Sequence, residues 1–489
     1  MDIVKLQNGS DIRGITIEHN GEKVNLGTKE AAAIGASFAC WLKNELNTDR
    51  PKVTVGRDSR ITGEALGQAF MNGLYGQGAD VTDFGLCSTP AMFLSTKKEF
   101  FNADGAVMIT ASHLPYNRNG MKFFIKKGGL DKTAIKKILC NSQNFFSNTY
   151  VDNIFEKRDF LKSYAQTLVD YIRQKTALES PFSGLKIIVD AGNGCGGFFV
   201  DNVLKKLGAE TRGSVFLEPD GLFPNHVPNP ENREILSNFG KIVLSEKADL
   251  GVIFDTDVDR AALIDKDGKP IARNRLIALL SDIVLFEHPG SYIVTDSVTS
   301  NALTQYIIKR GGIHHRFMRG YNNVINEGRR LNEAGKPCWM AVETSGHCAL
   351  KENDFLDDGA FLVVKALVQY IALRKENRSF SDVLQDYADP AEEKEVRYTI
   401  LETDYKTYGQ ALLEDFKAYA RNVPGWRLEE PNYEGVRVNC DRDSGDGWIL
   451  VRLSLHDPVL PINMESDTAG GIDVIEKILS DFIKNYRLK

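Results

Sequence analysis

Three stretches of the chain follow one plan, and that plan confines the fold to an array of α/β domains. Lys52-Val53-Thr54-Val55 has the pattern of a strand, followed by the loop Gly56-Arg57-Asp58-Ser59-Arg60, a helical stretch to Tyr75, and Gly78. Lys186-Ile187-Ile188-Val189 is followed by Asp190-Ala191-Gly192-Asn193-Gly194, a helix through Leu207, and Gly208. Tyr292-Ile293-Val294 is followed by Asp296-Ser297, a helix from about Ser300 to Arg310, and Gly311. The closing glycine comes at a similar distance from the Asp each time: 58 to 78, 190 to 208, 296 to 311. A strand and helix of this kind bury their apolar faces only against neighbours. Three tandem related α/β domains, each with a mixed sheet and covering helices, are therefore expected.

At 489 residues the chain has room for a further domain. A helical stretch from about Asp159 to Ala177 joins the first two repeats, and Asp389-Pro390-Ala391-Glu392-Glu393-Lys394 marks the end of the third. Beyond it, a strand at Val396 to Ile400, a helix at about Tyr405 to Ala420, short strands at Val436-Val438 and Ile449-Ser454, and a helix from Gly471 to Tyr486 predict a smaller α+β domain with an antiparallel sheet. The expected domains are 1–160, 161–287, 288–388 and 389–489.

Composition excludes several function classes. A net charge of −6 gives no basic footprint for nucleic acid. No apolar run approaches the roughly 18 residues of a membrane span, and the first residues lack the basic start and long apolar core of a signal peptide. Seven cysteines without a C-x-x-C pair fit reduced thiols in a cytoplasmic protein.

Four loops carry candidate chemistry. The buried strand Ala106-Val107-Met108-Ile109 delivers Thr110-Ala111-Ser112-His113-Leu114-Pro115, with Asn117, Asn119, Gly120 and Lys122 close behind. Ligands gather at the carboxyl ends of such strands, and Ser112 has His113 beside it and Lys122 ten residues on, with Pro115 and Gly120 shaping the loop. Asp255-Thr256-Asp257-Val258-Asp259-Arg260 follows the apolar strand Leu250 to Phe254. Carboxylates at alternate positions suit a hard cation such as Mg²⁺. Arg260 and Lys266 at the sixth and twelfth positions rule out an EF-hand. Glu343-Thr344-Ser345-Gly346-His347 follows a third apolar run and can exchange hydrogen bonds with sugar hydroxyls. Arg442-Asp443-Ser444-Gly445-Asp446-Gly447, leading to Arg452, has the small residues and flanking arginines of an anion nest.

A competing signal is Gly192-Asn193-Gly194-Cys195-Gly196-Gly197, which fits the dinucleotide fingerprint. The acid expected about twenty residues on is replaced by Thr211-Arg212, so a nicotinamide dehydrogenase is the runner-up. A catalytically silent sugar-phosphate binding protein is the third alternative.

Taken together, these loops resemble the α-D-phosphohexomutase family, the phosphomannomutases and phosphoglucomutases, along essentially the whole chain. The resemblance takes in Asp11-Ile12-Arg13-Gly14 and Val55-Gly56-Arg57-Asp58 as well as the four loops in order. It implies four domains around a central cleft, with the last domain closing over the substrate. It implies reversible transfer of a phosphoryl group between the 1- and 6-positions of a hexose phosphate, through phosphoserine at Ser112 and a hexose 1,6-bisphosphate. Asp255, Asp257 and Asp259 match Mg²⁺ ligands, with the serine phosphate completing the site. Arg13 and Arg260 match groups that stabilise the transferring phosphate, and His113 and Lys122 match proton carriers. Glu343, Ser345 and His347 match the sugar-reading loop, while Arg442, Ser444, Gly445, Gly447 and Arg452, with His456 and Asn463 as the fallback, are expected to hold the other phosphate. Arg319-Gly320-Tyr321 stands where relatives choose the sugar epimer, and glucose versus mannose stays open. The expected partners are small sugar phosphates, and the expected state is a monomer or homodimer.

Overall fold

The computed structural model describes residues 3–454 and 457–489, in two compact units. One comprises Met1–Arg273 with Ser345–Phe380, the other Asn274–Thr344 with Ser381–Lys489. Among the described residues no helix is long and apolar enough to cross a membrane.

The first unit holds two mixed sheets. One runs in the order Gln7–Asn8, Asp11–Ile15, Arg118–Ile125, Gly105–Ile109, Lys52–Arg57, Asp80–Leu86, Glu156–Lys157. Its middle strands are parallel, whereas Asp11–Ile15, Arg118–Ile125 and Gly105–Ile109 pair antiparallel. Every residue of Gly105–Ile109 is buried, as expected of a strand covered on both faces. The second sheet orders Pro270–Ile271, Ala261–Asp265, Leu250–Phe254 and Ile187–Asp190, the last two parallel. The expected helix through Leu207 is instead a π turn at Val200–Leu204 followed by a 3₁₀ turn at Lys205–Leu207.

In the second unit, Ile313–Phe317, Tyr292–Asp296 and Cys338–Val342 form parallel pairs. The C-terminal sheet is wholly antiparallel, in the order Glu392–Thr399, Val459–Ser466, Gly447–Val451, Val436–Cys440, Trp426–Leu428. Its alternate residues Val436, Val438, Ile449, Val451, Ile462 and Met464 share one core with the helices Tyr405–Ala420 and Gly471–Ile483. The opposite face sets Trp448 and Leu450 against Val298. Three α/β domains with mixed sheets and a smaller α+β domain are therefore the architecture found.

The loop bearing Ser112 joins two strands rather than a strand and a helix, with Met108 paired to Lys122. Gly120 does not turn the chain. It lies within Arg118–Ile125, where a Cβ would stand 2.0 Å from the Ile12 carbonyl oxygen, so glycine is needed for the sheet to close.

The loop is shaped from inside by Arg60, which is 1 % exposed. Its Nη1 donates to the carbonyls of Pro115 (2.7 Å) and Arg118 (2.9 Å), and its Nη2 to those of Ser112 and Leu114 (both 2.5 Å). Its Nε lies 3.2 Å from the Asp58 carboxylate. Asp58 also accepts the Thr110 hydroxyl at 2.7 Å, and that hydroxyl oxygen accepts the Ser112 N–H at 2.9 Å. Ser112 is thereby held at φ +49°, a conformation that costs a residue with a β-carbon about 1–3 kcal/mol. Replacing Arg60 by Met leaves Asp58 buried without its cation and strips four carbonyls of their donor. Urea titration of Arg60→Met should show a loss of about 3–5 kcal/mol. A midpoint equal to that of the parent would mean that something else shapes the loop.

Candidate functional site

The acidic loop is the turn of a hairpin. Leu250–Phe254 pairs antiparallel with Ala261–Asp265, and Phe254 stands opposite Ala261. The turn needs Val258 at φ +65°, and the N–H of Gly359, which opens the helix Gly359–Lys375, donates to the Val258 carbonyl at 3.1 Å. Asp255, Asp257 and Asp259 are buried, each offering an oxygen within 4.8 Å of the others.

These oxygens are unequally used. Asp257 Oδ2 accepts the Thr89 hydroxyl at 2.5 Å and the Lys122 ammonium at 3.0 Å, and Lys122 also reaches Asp259 Oδ2. Asp257 Oδ1 and Asp259 Oδ1 are buried without any hydrogen-bond partner among the described residues. Burial, together with the fields of Asp259 and Asp257, pushes the Asp255 carboxyl well above the usual carboxylate range. Buried carboxylates with orphaned oxygens are what a hard, oxygen-seeking divalent cation satisfies. The residues present fit Mg²⁺.

Ser112 lies against this cluster, its hydroxyl donating to Asp255 Oδ2 at 2.8 Å. Arg260 Nη2 donates to the Ser112 Oγ at 3.1 Å while its Nε holds Asp255 Oδ2, also at 3.1 Å. Asn229, 3.5 Å from Arg260 Nη1, supports it from behind. Arg13 is beside the same loop, but its guanidinium donates to the Thr110 carbonyl (2.6 Å) and to Asp11 (2.7 Å).

The two histidines have opposite electrostatics. His113 has a buried Nδ1 without a hydrogen-bond partner, and burial, reinforced by Arg260 and Arg13, pushes it down to about 2. His347 Nδ1 is 2.5 Å from Asp357 Oδ2. Burial works against its charge, but Asp357 and Asp259 outweigh it and lift it to about 9. His113 is therefore neutral and His347 cationic near pH 7. For Lys122, burial is overcome by Asp257 and Asp259, which hold it as an ammonium. Ser345 also offers a buried hydroxyl oxygen without a hydrogen-bond partner among the described residues.

The remaining expected residues lie in the second unit, since the chain passes between units at Thr344 and Ser345. Glu343 Oε1 accepts the Gly320 N–H at 2.7 Å. The expected phosphate nest is not one site. Arg442 and Ser444 sit in a 3₁₀ turn before the strand Gly447–Val451, and Arg452 follows that strand's far end, roughly 16 Å away at the rise of an extended chain. Asp441 caps the turn, taking the Ser444 N–H (3.0 Å) and hydroxyl (2.8 Å), while its carbonyl takes the Asp446 N–H at 2.7 Å. The Ser444 N–H and hydroxyl and the Asp446 N–H thus serve Asp441. Arg452, by contrast, is buried with an Nε that has no hydrogen-bond partner among the described residues. Asn463 likewise keeps a buried Oδ1 without one, and His456 lies outside the described residues.

In the would-be dinucleotide loop, Gly194 makes room for the acidic loop instead. A Cβ on Gly194 would stand 2.6 Å from the Thr256 carbonyl oxygen, which accepts the Cys195 N–H at 2.8 Å. The roles of Arg60, Thr89, Asn229 and Asp357 carry no signal in the sequence. A Ser-Thr-Pro run announces the short helix Thr89–Leu94, but nothing in it tells that the Thr89 hydroxyl meets Asp257.

Comparison with known proteins agrees with this geometry. Models described as phosphoglucomutase/phosphomannomutase α/β/α domains I, II and III match residues 4–144, 160–268 and 272–390. A phosphoglucomutase/phosphomannomutase of Thermococcus kodakarensis is 33% identical over 462 residues, covering 92% of this chain and 95% of the relative. A phosphomannomutase/phosphoglucomutase of Pseudomonas aeruginosa is 28% identical over 455 residues, covering 92% of each. A crystal structure of a family member from Burkholderia thailandensis shares the fold with a TM-score of 0.78 at 24% identity, covering 99% of this chain and 98% of that one. The repeated domains, the serine and acidic loops and the matches along the chain agree: this protein belongs to the α-D-phosphohexomutases, the enzyme family of the phosphoglucomutases and phosphomannomutases.

Proposed function

We propose that this chain moves a phosphoryl group reversibly between the 1- and 6-positions of a glucose or mannose phosphate, through phosphoserine at Ser112 and a hexose 1,6-bisphosphate. One observation carries the proposal. The Ser112 hydroxyl lies between a buried guanidinium and a buried acid cluster that has two unsatisfied oxygens. That is an arrangement for a charged group on the serine, since phosphoryl transfer asks chiefly for positioning and charge stabilisation.

Asp255, Asp257, Asp259 and an oxygen on Ser112 would hold Mg²⁺. When bound, the ion supplies positive charge to the phosphoryl oxygens. Arg260 donates to the transferring group from the other side and keeps Asp255 in place. Phosphate on Ser112 adds about −1.5 to −2 charges, which moves His113 upward from its depressed state and lets it accept a proton from a sugar hydroxyl. His347, charged and oriented by Asp357, can donate a proton or bind a hydroxyl. Pairs of groups driven apart in this way are typical of acid–base work. Lys122 balances the acid cluster and is the alternative proton carrier. Arg13 fixes the loop from its Thr110 end.

Glu343, held by Gly320, and Ser345 read the sugar. Arg452 grips the phosphate that is not being transferred, in place of the Arg442–Gly447 loop. Neither the glycine loop nor its surroundings favour a nicotinamide reaction.

Ser112→Ala should abolish turnover in a coupled assay with glucose 1-phosphate and a trace of 1,6-bisphosphate, with the fold intact by circular dichroism. Intact mass should show one phosphate on the parent and none on the variant, and near-normal turnover would sink the mechanism. Chelation should stop turnover and added Mg²⁺ restore it. Asp257→Asn should weaken Mg²⁺ binding measured calorimetrically, and an unchanged affinity would remove Asp257 from the ligand set. For the phosphate grip, Arg452→Ala should raise KM by roughly tenfold or more, as loss of a charge-assisted contact made in ground and transition states alike. Arg442→Ala should leave KM within about twofold, as for an exposed charge. The reverse pattern would return the grip to the Arg442 loop.

A further inference from the structure

In the second unit, one carboxylate oxygen ties the C-terminal domain to the turn that carries Arg319 and Gly320. Glu434 Oε2 accepts both the Ser297 hydroxyl and the Arg319 backbone N–H, the latter at 3.1 Å. The next N–H along the chain, that of Gly320, donates to Glu343 Oε1 at 2.7 Å. Successive N–H groups of one turn are thus held by two carboxylates from different parts of the chain. Ser297 is itself fixed: it is 4 % exposed, and its carbonyl accepts from Arg437 Nη1 at 2.9 Å.

Glu434 leads into the strand Val436–Cys440, whose Val436 pairs with Val451, so it arrives beside Arg452. An acid next to an arginine that grips phosphate works against anion binding by like-charge repulsion. Its presence there has to be explained by what it holds, and it holds the turn that positions Glu343. Specificity between sugars that differ in the direction of one hydroxyl depends on a partner fixed in place. A carboxylate free to follow the hydroxyl would accept either epimer.

We infer that Glu434 is a positioning residue for sugar selection: by fixing the Arg319–Gly320 turn it fixes Glu343, and with it the preference between glucose and mannose phosphates. This rests on Glu343 being the group that reads the sugar.

The test is the ratio of kcat/KM for glucose 1-phosphate and mannose 1-phosphate. Glu434→Ala should change that ratio by roughly fivefold, the loss of one or two buried hydrogen bonds that act on one epimer more than the other. Glu434→Gln keeps a carbonyl oxygen able to accept both bonds and should hold the ratio within about twofold. Any rise or fall in KM shared by both sugars then reports the lost charge near Arg452. A merely structural role would lower the melting temperature, or both kcat/KM values together, and leave the ratio where it was. An unchanged ratio in folded Glu434→Ala overturns the inference, as does a Gln variant that shifts it as far as Ala. If Glu434→Ala does not fold, Ser297→Ala decides. It removes one of the two donors, so a shifted ratio supports the inference and an unshifted one overturns it. Glu343→Gln separates the two assignments. If it leaves the ratio alone while Glu434→Ala moves it, Glu343 is not the sugar reader and the inference falls together with that reading. If Glu343→Gln moves the ratio and Glu434→Ala does not, Glu434 alone is wrong.

Discussion

A single guanidinium gives the first unit its reactive loop. Arg60 is buried beside Asp58 and donates to four backbone carbonyls between Ser112 and Arg118. Removing an arginine from water is unfavourable unless its charge and donors find partners, and here the partners are Asp58 and main-chain oxygens that a loop would otherwise turn outward. The result is a loop with little freedom, and it presents Ser112 in a left-handed conformation to Asp255 and Arg260. A flexible loop would spend part of its time with the hydroxyl out of line, and transfer between fixed groups loses rate steeply with small misplacement.

The acid cluster depends on the same economy of charge. Three buried carboxylates repel, and Lys122, Thr89 and Arg260 relieve part of that repulsion. Asp257 Oδ1 and Asp259 Oδ1 are left without a hydrogen-bond partner among the described residues, and a bound cation would relieve the remaining repulsion. Lys122 holds the other oxygens of Asp257 and Asp259, so the lysine limits how unfavourable the ion-free state becomes. The histidines complete the pattern: burial, reinforced by the field of the two arginines, empties His113 of its proton, and Asp357 and Asp259 keep one on His347 against burial.

Much of this was legible in the sequence because it is local. The serine loop and the acidic loop each occupy a few consecutive residues after an apolar strand, and the repeat of strand, Asp loop and helix marks the layers. What was illegible depends on distant backbone. Arg60 acts on carbonyls more than fifty residues away, and a carbonyl leaves no mark in a sequence. The phosphate grip proposed at Arg452 departs from the loop expected from the sequence through a strand boundary. The expected strand Ile449–Ser454 would carry Arg452 inside it, whereas the strand ends at Val451 and frees Arg452 at the opposite end from Ser444. Asp441 then takes the donors that the small residues seemed to offer an anion. The run from Gly192 to Gly197 fits the dinucleotide pattern for a related reason, since at Gly194 close approach to the Thr256 carbonyl requires the same residue as close approach to a phosphate.

Each compact unit is assembled from two separated stretches of chain, and this bears on how the protein is made. The first unit needs Ser345–Phe380, within which the Gly359 N–H braces Val258, Asp358 accepts the Tyr164 hydroxyl at 2.5 Å, and Asp357 orients His347. During synthesis from the amino end, Ser112 and the acidic loop leave the ribosome long before these braces exist. The last of the braces comes from a helix that ends at Lys375. The nascent chain therefore passes through a long interval in which Ser112 is present but its surroundings are incomplete, and those surroundings are completed late, with one short terminal portion of the unit rather than by gradual accretion.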